Sequence, residues 1–420
     1  MKKFLQTLGP GILFASTAIG VSHLIQSTQA GGNFGFTLVW AILLANIFKY
    51  PFFEYGSRYA NATGTTIIQG YSKLGPFAIW SFFFITLVSM FLVTATVGNV
   101  TAGFMQNLFG IKSVLLTTVL LFLVCITILI SGNYRVLDNL IKVIGIVLLL
   151  STLAAFVLVL FKGKQGSLSL WEMQNFSSDA YWLFLIPLMG WMPTAVDLSA
   201  WNSIWTLERI KQTGYKPSLK ETLREFNLGY WISALLALCF VTLGAFIMFG
   251  TGKTFSTKSV DFSREVIDLY TQTFGDWSTI IIAASAFSIM FSTCIAVFDG
   301  YSRAMAATSR ELFSKSLSNF SEKKLYRMLL LLIGVGSFLI IFYFQSNPNG
   351  FLRLVVLATS ISFLFAPFVA LFNLMLVTGK HIDEAAKPNK LMRWLSYFGI
   401  VFLTLFSIFY LLIDYILPYL

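Results

Sequence analysis

His23 and Gln26 stand inside the first apolar run of the chain, in the stretch STAIGVSHLIQSTQAGG from Ser16 to Gly32. Histidine titrates near neutral pH and ligates metals. An ionisable side chain at membrane depth marks a functional site by default. A second polar group lies far along the chain, in FLIPLMGWMPTAVDLSAWNS, where Asp197 follows Pro193 by a little over one turn. Beside it Met192 offers a soft thioether, which favours transition metals over Mg²⁺ or Ca²⁺. His23, Met192 and Asp197 would make a weak transition-metal site if the two stretches meet. The competing chemistry is recognition of a small organic solute. Ser22, His23, Gln26 and Thr194 would supply neutral hydrogen bonds, Gly20 an open backbone, and Trp191 and Trp201 the walls. Asp197 would pair with an amine or a coupling ion.

Each residue also has a plainer reading. His23 could be a neutral imidazole bonded to a carbonyl across a helix interface. Asp197 could pair with Arg209 or another basic residue of the inner loops. Glu54 with Arg58, and Asp299 with Arg303, have the four-residue spacing of ordinary helix ion pairs.

The elements that must position these groups are membrane helices. Of 420 residues, 57% are hydrophobic and only 11% charged, against about 25% charged in a typical soluble domain. Windows of roughly 20 apolar residues predict about eleven spans. They lie near 9–30, 36–57, 78–107, 113–132, 136–161, 180–205, 227–250, 271–308, 327–346, 351–378 and 393–417. The opening MKKFLQTLGPG reads as a retained N-terminus rather than a signal peptide. Cys125, Cys239 and Cys294 sit singly in apolar runs and predict neither disulfides nor a thiolate cluster.

With the N-terminus in the cytoplasm, Arg58, Lys73, Arg135, Lys142, Arg209, Arg303, Arg310 and Lys324 lie inside, while Lys162, Lys164, Lys253, Lys258 and Arg264 lie outside. The positive-inside rule therefore predicts N-in, C-out, in a bacterial inner (cytoplasmic) membrane. The net charge of +11 is a topogenic signal and does not point to nucleic acid.

Two spans carry residues that disfavour continuous helix: Gly20, Ser22 and His23 in span one, and Pro187, Gly190 and Pro193 in span six. Interrupted segments at corresponding places in two halves of a chain point to a transport site. The fifth span of each half also begins alike, SGNYRVLDNLI and PNGFLRLVVLA, with Arg135 and Arg353 on opposite sides as an inverted repeat requires.

These segments are similar to those of the NRAMP (natural resistance-associated macrophage protein) family of metal-ion transporters, in the amino acid–polyamine–cation superfamily with the leucine-transporter fold. The resemblance rests on GPGILFA and QAGG around span one, LLANIFKYPFFEYGSRYANATG in span two, and NLFGI after span three. GNYRVLDNLIKVIGIVL opening span five, WMP in span six and LVVLATSISFLFAPF in span ten extend it over most of the chain. The departures fall on the functional residues. The family's first break reads Asp-Pro-Gly-Asn, and Gly20, Val21, Ser22 and His23 stand there. Its Met-Pro-His-Asn becomes Met192, Pro193, Thr194 and Ala195, with Ser199 where a second His would be. The acids of its proton route align with about Thr94 and Val97, and its metal-coordinating Gln near Thr359. Proton coupling of the family kind is expected to be absent or rerouted.

The expectation is an all-α integral membrane protein of about eleven helices, with a leucine-transporter-type 5+5 inverted repeat broken in helices one and six. It forms a single transmembrane domain over 1–420, with repeat one about 9–161, repeat two about 180–378 and an extra helix about 393–417. The function expected is alternating-access secondary transport of a small solute or cation. The resemblance implies divalent metals, and a carrier of an amino acid or amine, or a non-transporting sensor, is the alternative. No enzyme and no cofactor are expected, beyond a bound cation (metal ion, Na⁺ or H⁺). The partners are the solute and the bilayer, with no nucleic acid. Substrate-binding candidates are Gly20, Ser22, His23, Gln26, Trp191, Met192, Thr194, Asp197 and Thr359. The sequence does not give the oligomeric state.

Overall fold

The computed structural model describes residues 7–131, 149–171, 179–253, 255–347 and 349–412. Seven described helices are long and apolar enough to cross a membrane unaided. They are span three (Pro76–Phe109), span four (Val114–Ser131), span seven (Leu219–Ile247), span eight (Thr279–Leu312), span nine (Glu322–Gln345), span ten (Gly350–Thr378) and span eleven (Lys390–Leu411). Of the other four spans, three fall short for physical reasons and the fourth is described only in part. Span one is divided into Pro10–Ala18, a π turn over Ser22–Ser27 and Thr28–Phe34. Span six is divided into Asp179–Gly190 and Ser199–Thr213. Span two, Val39–Thr63, is long enough but carries Lys49, Glu54 and Arg58. Span five is described only over Leu149–Lys162. Its opening, with Arg135 and the motif compared with span ten, lies outside the described residues, as does the C-terminal end of the chain.

The sequence windows placed one element wrongly. What read as a long eighth span from 271 to 308 is two helices, Ser259–Phe274 and Thr279–Leu312. Gly275 separates them at φ 99°, a conformation open to glycine and costly for other residues. Ser259–Phe274 carries Asp261, Arg264, Glu265 and Asp268 and is too polar to cross a bilayer. Span three, in contrast, is one helix of 34 residues. At 1.5 Å per residue it is about 51 Å long, well beyond a hydrocarbon core of roughly 30 Å.

Span one is held by span seven at both ends. A Cβ on Gly31 would lie 1.9 Å from the Val241 carbonyl oxygen, and one on Gly244 would lie 2.1 Å from that of Thr28. The two backbones therefore touch, as small residues allow in membrane helix pairs. At the other end a Cβ on Gly229 would lie 2.0 Å from the Gly11 carbonyl oxygen. There the Glu225 carboxylate accepts from Gly9 N at 2.9 Å and Gly11 N at 2.8 Å. It satisfies amides that the first turn of a helix leaves without partners and places negative charge at the positive end of the helix dipole. The second half of span six packs on span two, where a Cβ on Gly56 would lie 2.2 Å from the Ser199 carbonyl oxygen.

Candidate functional site

The first break begins where Ile19, at φ −79° and ψ 62°, leaves the helix. Gly20 follows, and a Cβ there would lie 2.9 Å from Thr293 of span eight. Thr293 is fixed in turn, its hydroxyl donating to the Ser16 carbonyl at 2.9 Å. The chain resumes as a π turn, a form often found at functional sites. In the second break, helix ends at Gly190, residues 191–195 are irregular, and a short 3₁₀ turn over Val196–Leu198 leads into the second half. Gly190 sits where any side chain would strike span ten, 2.3 Å from the Thr359 carbonyl oxygen. Backbone of this kind survives at membrane depth only when buried in protein or lining a cavity.

The two breaks meet. The Ser22 hydroxyl lies 2.6 Å from the Ala18 carbonyl, 3.1 Å from the Pro193 carbonyl and 2.7 Å from His23 Nδ1. Its single proton serves one of the three at a time. Around this contact is a cavity of about 20 Å³, with Ser22, Trp191 and Thr194 among its lining residues. Thr17, Val21, Ala195 and Leu198 complete the wall from spans one and six, Val93 and Val97 from span three, and Thr293 and Val297 from span eight. Along the same two helices, spans one and eight, opens a vestibule of about 340 Å³, lined by Leu13, Ser292 and Ala296 and rimmed by Glu208, Arg209, Asp299 and Arg303. At that rim Arg303 Nε donates to both oxygens of Asp299 at 2.8 and 2.9 Å, and Tyr326 donates to Asp299 at 2.6 Å.

The remaining sequence candidates are placed less uniformly. His23 is fully buried and turned toward span seven, its Nε2 lying 2.8 Å from the Ser233 carbonyl. A carbonyl accepts only, so Nε2 carries a proton. Gln26 is buried in the π turn, and its Oε1 has no hydrogen-bond partner among the described residues. Trp191 Nε1 donates to Ser362 Oγ at 3.0 Å, which fixes the indole against span ten. Met192 is fully buried at the break. The Thr359 hydroxyl is committed to its own helix, donating to the Val355 carbonyl at 2.7 Å. Asp197 accepts from the Tyr301 hydroxyl of span eight at 3.3 Å.

Lys49 itself escaped the sequence reading. It is fully buried, and its Nζ reaches three main-chain carbonyls of span six. The signal was available: a lysine in the middle of a predicted span is costly in lipid and calls for a role.

The family model described as natural resistance-associated macrophage protein-like (Nramp) matches residues 11–413. The chain belongs to the Nramp family. It is 36% identical over 414 residues to an uncharacterised protein of Pasteurella multocida, covering 96% of this chain and 91% of that one. Among solved structures, a manganese transporter of Eremococcus coleocola superposes with a TM-score of 0.69 at 14% identity, covering 97% of this chain and 86% of that chain. MhsT in complex with L-phenylalanine gives a TM-score of 0.58 at 15% identity, covering 94% and 98%. Both likenesses are of fold. This Nramp chain is thus an integral, multi-pass membrane protein of the leucine-transporter fold, broken in spans one and six, and a secondary transporter.

Three further positions that the sequence resemblance singled out can be placed in this Nramp chain. Thr94 of span three is fully buried, and its hydroxyl has no partner among the described residues. Val97 lines the small cavity. Ser199 accepts from Asn373 Nδ2 of span ten at 2.8 Å. Among the described residues no group of three or more His, Cys, Asp and Glu side chains is assembled to hold a metal ion.

Proposed function

We propose that this Nramp chain is an alternating-access carrier of a small organic solute, such as an amino acid or amine, in a bacterial cytoplasmic membrane. The observation that carries this reading is the lining of the cavity between the breaks. Its polar groups are the hydroxyls of Thr17, Ser22, Thr194 and Thr293, and its other lining residues are apolar, Trp191 among them with its Nε1 turned to Ser362. Hydroxyls replace the water of a neutral or zwitterionic solute well. They strip water poorly from a hard or borderline dication, whose sites are built from carboxylate oxygens. An anionic group on the solute would face the start of the second half of span six, where the helix dipole is positive.

Two repeats, about 9–161 and 180–378, would rock about this site, with the span near 393–417 outside the repeat. With the basic loops in the cytoplasm the N-terminus lies inside and the C-terminus outside. The vestibule with Arg209 and Arg303 at its rim then opens inward. A second reading, a divalent metal ion as substrate, is favoured by membership of the family and by Met192 at the break.

Uptake by proteoliposomes of labelled amino acids and amines, beside Mn²⁺, tests the proposal. Saturable uptake of an organic solute is expected. Thr194→Val should raise its KM about tenfold, the loss of one hydrogen bond of roughly 1.4 kcal/mol. Transport of Mn²⁺ and of no organic solute would overturn it.

A further inference from the structure

Lys49 is residue 11 of the 25 in span two, far from either end of its helix, and it is fully buried. Long basic side chains near helix ends reach for the interface; this one reaches into the protein. Its Nζ donates to the carbonyls of Met189 at 2.6 Å, Gly190 at 2.8 Å and Thr194 at 3.4 Å. The first two belong to the last turn of the first half of span six, the third to the irregular stretch that follows. Carbonyls at the C-terminal end of a helix lack intrahelical partners and carry the negative end of the dipole. In carriers with broken helices, such ends and the unwound carbonyls beside them are where a coupling cation is held.

Here the three acceptors meet the three donors of one ammonium. The Phe363 ring of span ten lies with its centroid 5.8 Å from Nζ, within the range of a cation–π contact. We propose that the Lys49 ammonium is a tethered cation, filling the carbonyl site of the broken sixth span in place of a dissolved monovalent ion. Transport by this chain then requires no Na⁺. The inference stands independently of which solute is carried.

The test is the thermal midpoint of the purified full-length protein in detergent, scanned with Na⁺, K⁺ and ethylammonium against choline as control. The wild-type site is full, so none of these ions shifts the wild-type midpoint. Lys49→Ala orphans the carbonyls and lowers the midpoint by about 5 °C or more, and ethylammonium or Na⁺ restores most of the loss. Lys49→Met fills the hole with an uncharged stem, so its midpoint falls and no cation restores it. A wild-type midpoint raised by Na⁺ over choline would overturn the proposal whether or not the variants fold. So would a Lys49→Met protein as stable as the wild type, or a folded Lys49→Ala protein that no cation rescues. Loss of solute uptake with these cation responses intact would count against the organic-solute reading and leave the tethered cation standing.

Discussion

Arg58→Met is expected to lower stability by about 3–5 kcal/mol, the usual result of removing one partner of a buried ion pair. Arg58 grips Glu54 with two bonds, Nη2 to Oε1 at 2.6 Å and Nε to Oε2 at 2.9 Å, with the Glu54 side chain only 2% exposed. Its remaining nitrogen, Nη1, donates to the Ala386 carbonyl at 2.6 Å, so the pair also anchors the segment between spans ten and eleven. Methionine matches the stem but leaves the carboxylate buried and alone. Removing both charges, in Glu54→Leu with Arg58→Met, should recover most of the loss, because the penalty lies in the widowed charge rather than in the missing attraction. Thermal midpoints of the four proteins of this cycle measure the coupling. An Arg58→Met protein with the wild-type midpoint would mean that Glu54 is solvated, contrary to the geometry.

Gly31→Val should prevent the folded carrier from accumulating. The Cβ would fall 1.9 Å from the Val241 carbonyl oxygen and 2.7 Å from the Ala245 nitrogen. Both are backbone atoms of span seven, so no rotamer change relieves the clash and the helices must separate. Overpacking a core costs about 1–3 kcal/mol when side chains can shift; here the second half of span one would lose its seat, so the cost should exceed that range. Because this half carries the π turn with Ser22 and His23, displacing it also moves one wall of the site. Size-exclusion chromatography of the extracted variant reads the outcome, with aggregate in place of a single peak. A monodisperse Gly31→Val protein with full uptake would show that spans one and seven do not cross as closely as the structure has them.

Much of the architecture was legible in the sequence because membrane helices advertise themselves by length and hydropathy, and breaks by proline and glycine. Gly190 and Pro193 predicted the interruption of span six, and Gly20 that of span one. The pairing of Ser22 with the Pro193 carbonyl could not be read, because it depends on how two distant helices approach. His23 illustrates the same limit. Its position in an apolar run says that it matters. Only the carbonyl of Ser233 at 2.8 Å tells toward which helix the ring turns. Lys49 shows the same limit: a lysine inside a predicted span signals a role, but its acceptors are main-chain carbonyls, which leave no mark in a sequence. Gly275 was the overlooked signal in span eight, a single residue that ends one helix and frees the next.

On the proposed function, this family member keeps the Nramp frame while its site takes an organic solute in place of a metal ion. Isothermal titration of the purified wild-type protein with Mn²⁺, beside Met192→Ala, tests it most directly. No saturable Mn²⁺ binding is expected at micromolar concentrations, and the two proteins should give identical traces. Micromolar Mn²⁺ binding that disappears in Met192→Ala would contradict it and return the metal ion to the site.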